Sequence, residues 1–154
     1  MNNDHTPLFD NIFIPDSKGI EYQVLADLIA NPEYIPTVAG LINDTMFSSA
    51  ETVKVWRTLN SMSTAGETID IQTMSGRTNP GIIARIISKD TGVSTLKTAI
   101  DHCRVLSNAA VRRVIFNQAV SMLRCASNNG TDITELAAMP GRLVDEVENS
   151  FGVE

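Results

Sequence analysis

The chain has 154 residues, of which 43% are hydrophobic and 19% charged, as expected for one domain with a core of its own. No stretch approaches eighteen consecutive apolar residues, and the N-terminus lacks the basic and apolar regions of a secretory signal, so neither a membrane span nor a signal peptide is predicted. A net charge of −6 repels phosphate, so direct binding to nucleic acid is not expected. Residues 1–14 are predicted to be a disordered lead-in.

Residues 15–94 carry the signals of a helical head with about five short helices. Asp16 or Ser17 can cap a first helix that ends before Asn31. Asn31 and Pro32 then start a short second helix, because Asn is a favourable cap and Pro fits the first helical position.

Three further helices are predicted in the head. Ser48 and Glu51 have the spacing of a capping box that opens the third. Asp70 can cap the fourth, and Asn79 precedes Pro80 at the start of the fifth. The isoleucine run after Pro80 is also compatible with a buried strand, because periodicity does not assign so short an apolar run. No partner strand is evident, which favours the helix.

The core of this head is predicted from apolar residues at helical spacing in the first and third helices, together with one aromatic residue just before the third. At such spacing a tryptophan is expected to be a buried anchor rather than a platform for a nucleic-acid base. The predicted head core is Val24, Leu25, Leu28, Phe47, Trp56 and Leu59.

A long helix is predicted from Thr95 to about Ser127, because this stretch has no Pro or Gly and its apolar residues recur at helical spacing. At 1.5 Å per residue it would be roughly 45 Å long, whereas a head of this size would be only about 30 Å across. Part of the helix must therefore overhang. Its apolar face must be covered by a later segment of the chain or by a second copy.

A turn at residues 128–131 follows, signalled by Asn128, Asn129 and Gly130. The return arm, residues 132–151, is predicted to be broken at the Met-Pro-Gly sequence around Pro140, because Pro removes a backbone N–H. Residues 95–154 would thus form a helical hairpin. Two such hairpins packed about a two-fold axis would make a four-helix bundle.

The charges of the hairpin are unevenly distributed: the net charge is +4 over residues 95–130 and −5 over residues 131–154. Two interpretations remain open. The two segments are simply solvated surfaces, or the acidic arm folds back beside the arginines of the long helix, where complementary charge would fix its orientation. The arginines concerned are Arg104, Arg112 and Arg113.

No catalytic, cofactor-binding or metal-binding residues are predicted. The chain has no Gly-Lys pair, hence no phosphate-binding loop of the Walker type. His102 and Cys103 are neighbours and point about 100° apart on a helix, so they cannot chelate one ion together. Asp70 is better explained as a helix cap than as an acid–base catalyst. Cys103 and Cys125 are too far apart along one helix to form a disulfide, which favours reduced thiols in a cytoplasmic protein.

Several short motifs occur in an order and spacing that a known family shares. These are a Pro before a helix with a Glu and a Val-Leu pair, an Asn-Pro restart, a Phe before a helix, and a G-x-x-[IV]-D step before a Thr-Met pair. The residues are Pro15, Glu21, Val24, Leu25, Asn31, Pro32, Phe47, Gly66, Ile69, Asp70, Thr73 and Met74. The VRRVI stretch at residues 111–115 is similar to the family's first hairpin arm. From about Ile14 onward the chain resembles the N-terminal domain of DnaB-type replicative DNA helicases.

The resemblance implies an all-α fold, a helical head followed by a long hairpin, with no catalytic role. In that family the hairpins pair into homodimers, a trimer of dimers forms a collar on the helicase ring, and this layer influences docking of the primase and the helicase loader. The RecA-like ATPase domain, which makes the full-length family protein an ATP-dependent DNA helicase, has no counterpart in these residues.

The long helix is predicted to carry the dimer interface, because its apolar residues are more than its own chain is expected to cover. The predicted interface is Val111, Arg112, Arg113, Val114, Ile115, Ala119 and Met122. The alternative function is that of a stand-alone helical adaptor whose hairpin binds a different protein.

Overall fold

The computed structural model describes residues 12–90, 92 and 94–152, and within these ranges it contains seven α-helices, two 3-10 helices and no β-strand. The predicted all-α class is therefore confirmed. The predicted lead-in falls largely outside the described residues; its last three, residues 12–14, are exposed and belong to no helix. The α-helices are α1 Lys18–Ala30, α2 Ile35–Val38, α3 Ala50–Thr64, α4 Ile71–Arg77, α5 Pro80–Ile87, α6 Leu96–Ser127 and α7 Ile133–Phe151.

Local capping explains where several helices begin. Asp70 opens α4 with a capping box: the Thr73 N–H donates to the Asp70 carboxylate at 2.8 Å, and the Asp70 N–H donates to the Thr73 hydroxyl at 3.0 Å. Asn79 caps α5 by accepting from the Gly81 N–H at 2.8 Å. The isoleucine run is thus helical, and the strand alternative is excluded.

The cap of α3 is Ser49, one residue later than predicted. The Ser49 hydroxyl accepts from the Thr52 N–H at 3.2 Å. Ser48 instead lies before the helix, where its N–H and its hydroxyl both donate to the buried carboxylate of Glu21. A tertiary contact therefore shifts a boundary that local sequence places at Ser48.

The head core surrounds α1, whose residues pack against α3, α5 and α6. All six residues of the predicted head core lie in it, each at most 5% exposed. Phe47 and Trp56 are stacked, with 6.2 Å between their ring centroids. Stacked aromatics add about 0.5–1.5 kcal/mol beyond the area they bury.

The core extends past residue 94, where the sequence placed the end of the head. Cys103, Leu106 and Ala110 of α6 are at most 1% exposed and belong to the same apolar cluster. The first half of α6 is therefore a helix of the head, and only the second half stands out as an arm.

The return arm is one continuous helix, not the broken arm that was predicted. Pro140 lies inside α7, which runs unbroken from Ile133 to Phe151. Pro removes only its own N–H, and its ring is exposed to solvent. The carbonyl that loses its helical donor is that of Leu136, four residues before the proline.

Candidate protein-interaction surface

The outer hairpin, meaning residues 111–127 of α6 together with α7, leaves its apolar side chains incompletely covered. No residue in this region is fully buried. Its large apolar side chains include Ile115 at 46% exposure, Leu123 at 49%, Ile133 at 74% and Val144 at 54%. Two helices packed only on each other cannot bury a core, so this surface is a candidate for contact with another protein.

The predicted interface residues fall into three groups in the structure. Val111, Val114, Ala119 and Met122 are partly buried, and Ile115 is exposed. Arg112 is exposed as well. Arg113, in contrast, turns inward toward the head of its own chain.

Arg113 links the arm to the head through two hydrogen bonds. Its Nη1 donates to the Ser17 hydroxyl at 2.6 Å, and its Nη2 donates to the Thr45 backbone carbonyl at 3.1 Å. Both of these guanidinium nitrogens donate to residues of the same chain. Arg113 therefore ties the arm to the head. Sequence alone offers no signal for this, because its partners lie 96 and 68 positions away.

Ser17 connects Arg113 to the buried carboxylate of Glu21. The Ser17 hydroxyl donates to Glu21 Oε2 at 2.7 Å, and the Thr52 hydroxyl donates to Glu21 Oε1 at 2.9 Å. With the two donors of Ser48, the Glu21 carboxylate accepts four hydrogen bonds while being 0% exposed. Buried charge is tolerated only when it is satisfied in this way.

A second tie lies near the other end of α1. His102 Nδ1 lies 2.5 Å from Asp27 Oδ2, and Gln23 Nε2 donates to Asp27 Oδ1 at 3.0 Å. Asp27 is buried, whereas His102 is partly exposed. Burial, and secondarily the charge of Asp27, raises the pKa of the neighbouring Cys103 thiol to about 12. The two ties hold α6 antiparallel to α1.

An apolar cavity of about 540 Å³ lies on the outer half of α6 and was not predicted. Phe116, Val120 and Leu123 line it from the helix, and Ile12 lines it from the segment before α1. The spacing of i, i+4 and i+7 in the three helical residues is a sequence signal that could have identified this stripe.

The two arms are not joined by ion pairs within the part of the chain that the structure describes. Arg104 pairs with Asp101 of its own helix at 3.2 Å, and Arg113 binds the head. The polar contact between the arms is a hydrogen bond from Gln118 Nε2 to Glu146 at 3.2 Å. The acidic arm does fold back along α6, but not by pairing with its arginines.

Chemistry of other kinds finds little support among the described residues. They contain no group of three or more His, Cys, Asp or Glu placed to hold a metal ion. None of their helices is both long and apolar enough to cross a bilayer.

Comparison with known proteins gives one family and one fold. The sequence model described as the DnaB-like helicase N terminal domain matches residues 14–109. Among solved structures, the N-terminal domain of DnaB helicase from Mycobacterium tuberculosis is similar with a TM-score of 0.70 at 14% identity, over 84% of this chain and 99% of that one. No curated protein matches the sequence.

Proposed function

Because the chain belongs to the DnaB-like helicase N-terminal domain family, we propose that it is a non-catalytic oligomerisation and protein-interaction domain of a replicative DNA helicase. In this role the outer hairpin pairs with that of a second copy. The dimers then assemble three at a time into a collar around the helicase ring.

The observation that carries the proposal is the uncovered apolar surface of the outer hairpin. Ile115 of α6 and Val144 of α7 are each about half exposed in the single chain. Burying apolar area stabilises an association by about 25 cal/mol per Å² before the cost of bringing two chains together. A two-fold partner offers the same surface in return, which is why symmetric dimers are the commonest solution for such faces.

The collar would also carry the contacts of the helicase with other replication proteins. We propose that primase and the helicase loader dock on it in the full-length protein. The domain itself does not bind DNA. Such binding depends on cationic side chains that neutralise phosphates, whereas the net charge of the chain is −6.

The interface is tested by Ile115→Asp, with Ile71→Asp as the matched control. Both isoleucines are about half exposed, but Ile71 lies in the head at the start of α4. Ile115→Asp should lower the mass in solution, measured by light scattering, to that of a monomer, because each copy would place a charge in the apolar contact. Ile71→Asp should leave the mass unchanged.

Far-UV circular dichroism separates dissociation from unfolding, since a dissociated variant keeps its helical signal. Retention of the full oligomeric mass by Ile115→Asp would show that the interface lies elsewhere.

A further inference from the structure

A concave surface of about 480 Å³ lies on the head. We call it the head groove. Its floor is formed by Ile29 at the end of α1 and Ile69 before α4, which are 4% and 8% exposed, and by the partly buried Ile87 at the end of α5. Ile71, the first residue of α4, is 52% exposed at its side. A volume of this size is in the range of sites that hold a ligand or several side chains.

The rim of the head groove is negative. Asp70 and Asp90 line it, and none of its lining residues is Lys, Arg or His. The carboxylate of Asp70 caps α4, and that of Asp90 accepts from the Gly92 N–H at 2.9 Å, so both are held in place.

Two helix ends add to this potential. The C-termini of α1 and α5 both meet at the groove through Ile29 and Ile87, and a helix C-terminus carries partial negative charge. The last turn of α1 has no basic side chain, whereas that of α5 has Arg85. The N-terminus of α4, which carries partial positive charge, also lies at the groove, where the carboxylate of its cap Asp70 offsets it. An apolar floor beneath a negative rim is complementary to a peptide that carries apolar side chains between cations.

We propose that the head groove binds a short segment of a partner protein in which leucine-like side chains are flanked by Lys or Arg. The apolar side chains fill the floor between Ile29 and Ile71, and the cations lie against Asp70 and Asp90. This site is on the head, and it does not depend on the pairing of the outer hairpins.

Three matched seven-residue peptides test the proposal on the full chain. KLLKLLK has both features, ELLELLE reverses the charge, and KSSKSSK removes the apolar side chains. Amide NMR titration should show saturable binding of KLLKLLK with a Kd below about 1 mM, with the largest shifts at Ile71, Gln72 and Ile87. The other two peptides should bind at least about tenfold more weakly.

Substitutions distinguish binding by the two rim aspartates from the general attraction of a cationic peptide to an acidic protein. The double variant Asp70→Asn and Asp90→Asn keeps both hydrogen bonds, because the Asn side-chain oxygen accepts from the same backbone N–H groups. It should weaken the binding of KLLKLLK by about three- to tenfold. Asp16→Asn is the matched control, since Asp16 is an exposed aspartate that accepts from the Lys18 N–H at 2.9 Å and lies outside the groove. It should leave the affinity unchanged.

The floor is tested by Ile71→Ser, with Ile133→Ser on α7 as the control. The first should abolish saturable binding and the second should not. The proposal is overturned if KLLKLLK does not saturate, if its shifts map to the outer hairpin, or if Asp16→Asn weakens it as much as the double variant. The mass in solution is measured in parallel, so failure of the groove and failure of the hairpin dimer remain distinguishable.

Discussion

Glu21 connects the head to the long helix. Its carboxylate accepts four hydrogen bonds in a fully buried position, and one of these comes from the Ser17 hydroxyl that also binds Arg113. Nothing in the local sequence distinguishes Glu21 from a surface glutamate on an amphipathic helix. The sequence marked Glu21 only as part of a family motif. The network assembles residues up to 96 positions apart, which is why short windows of sequence indicated neither the burial of Glu21 nor the inward turn of Arg113.

Glu21→Ala should lower the free energy of unfolding by about 2–4 kcal/mol, because it leaves the Ser48 N–H and three hydroxyls without their acceptor in the interior. Urea denaturation followed by circular dichroism measures the change. Glu33→Ala provides the control, since Glu33 is exposed. A loss below about 1 kcal/mol for Glu21→Ala would mean that water replaces the carboxylate without strain.

Cys103 should resist alkylation while Cys125 reacts. Burial of Cys103 beside Asp27 raises its thiol pKa from 9.0 to about 12, so the nucleophilic thiolate is scarce in the folded chain. Mass spectrometry after iodoacetamide treatment at pH 8 should find the label on Cys125 first. Equal labelling of the two cysteines under native conditions would contradict the buried position of Cys103.

The raised pKa of Cys103 makes the free energy of unfolding depend on pH. Between pH 9 and about pH 12 the folded chain keeps the Cys103 proton that the unfolded chain loses. The free energy of unfolding should therefore fall as pH rises through this range. Cys103→Ala should make the free energy of unfolding fall less steeply with pH over this range.

At the scale of the elements, the long helix was predicted closely: Thr95 is its cap and Ser127 its last residue. A stretch without Pro or Gly and with a sustained 3.6-residue period leaves little choice of structure. The return arm was predicted over residues 132–151, but its continuity was not, because Pro140 was taken to break a helix that in fact continues through it. α7 packs against α6, and Phe151 at its end packs against the head core. These contacts offset the local preference for a break.

Pro140→Ala should therefore stabilise α7, by up to about 3 kcal/mol, since alanine restores the missing N–H and removes the ring. Thermal unfolding would show a higher Tm. Pro80→Ala is the control, because Pro80 stands at the first position of α5, where Pro costs little. An unchanged Tm for Pro140→Ala would mean that the proline does not destabilise the folded chain.

At the scale of the whole molecule, sequence patterns divided the chain at residue 94, whereas the core continues to Ala110. Hydrophobic period identifies a helix and its apolar faces, but it does not reveal which neighbour covers each face. For the same reason the period did not reveal that Arg113, one of the predicted interface residues, binds the head of its own chain. The pairing of these residues with a second copy stays a prediction.

The proposed pairing of outer hairpins is tested most directly by the mass of the unmodified chain in solution, measured by light scattering over a concentration series. Two copies of the 16.7 kDa chain give about 33 kDa and six give about 100 kDa, and either mass is the expected result. A mass of 16.7 kDa at every concentration would contradict the pairing. The outer hairpin would then be a surface for a different protein, as in a stand-alone helical adaptor.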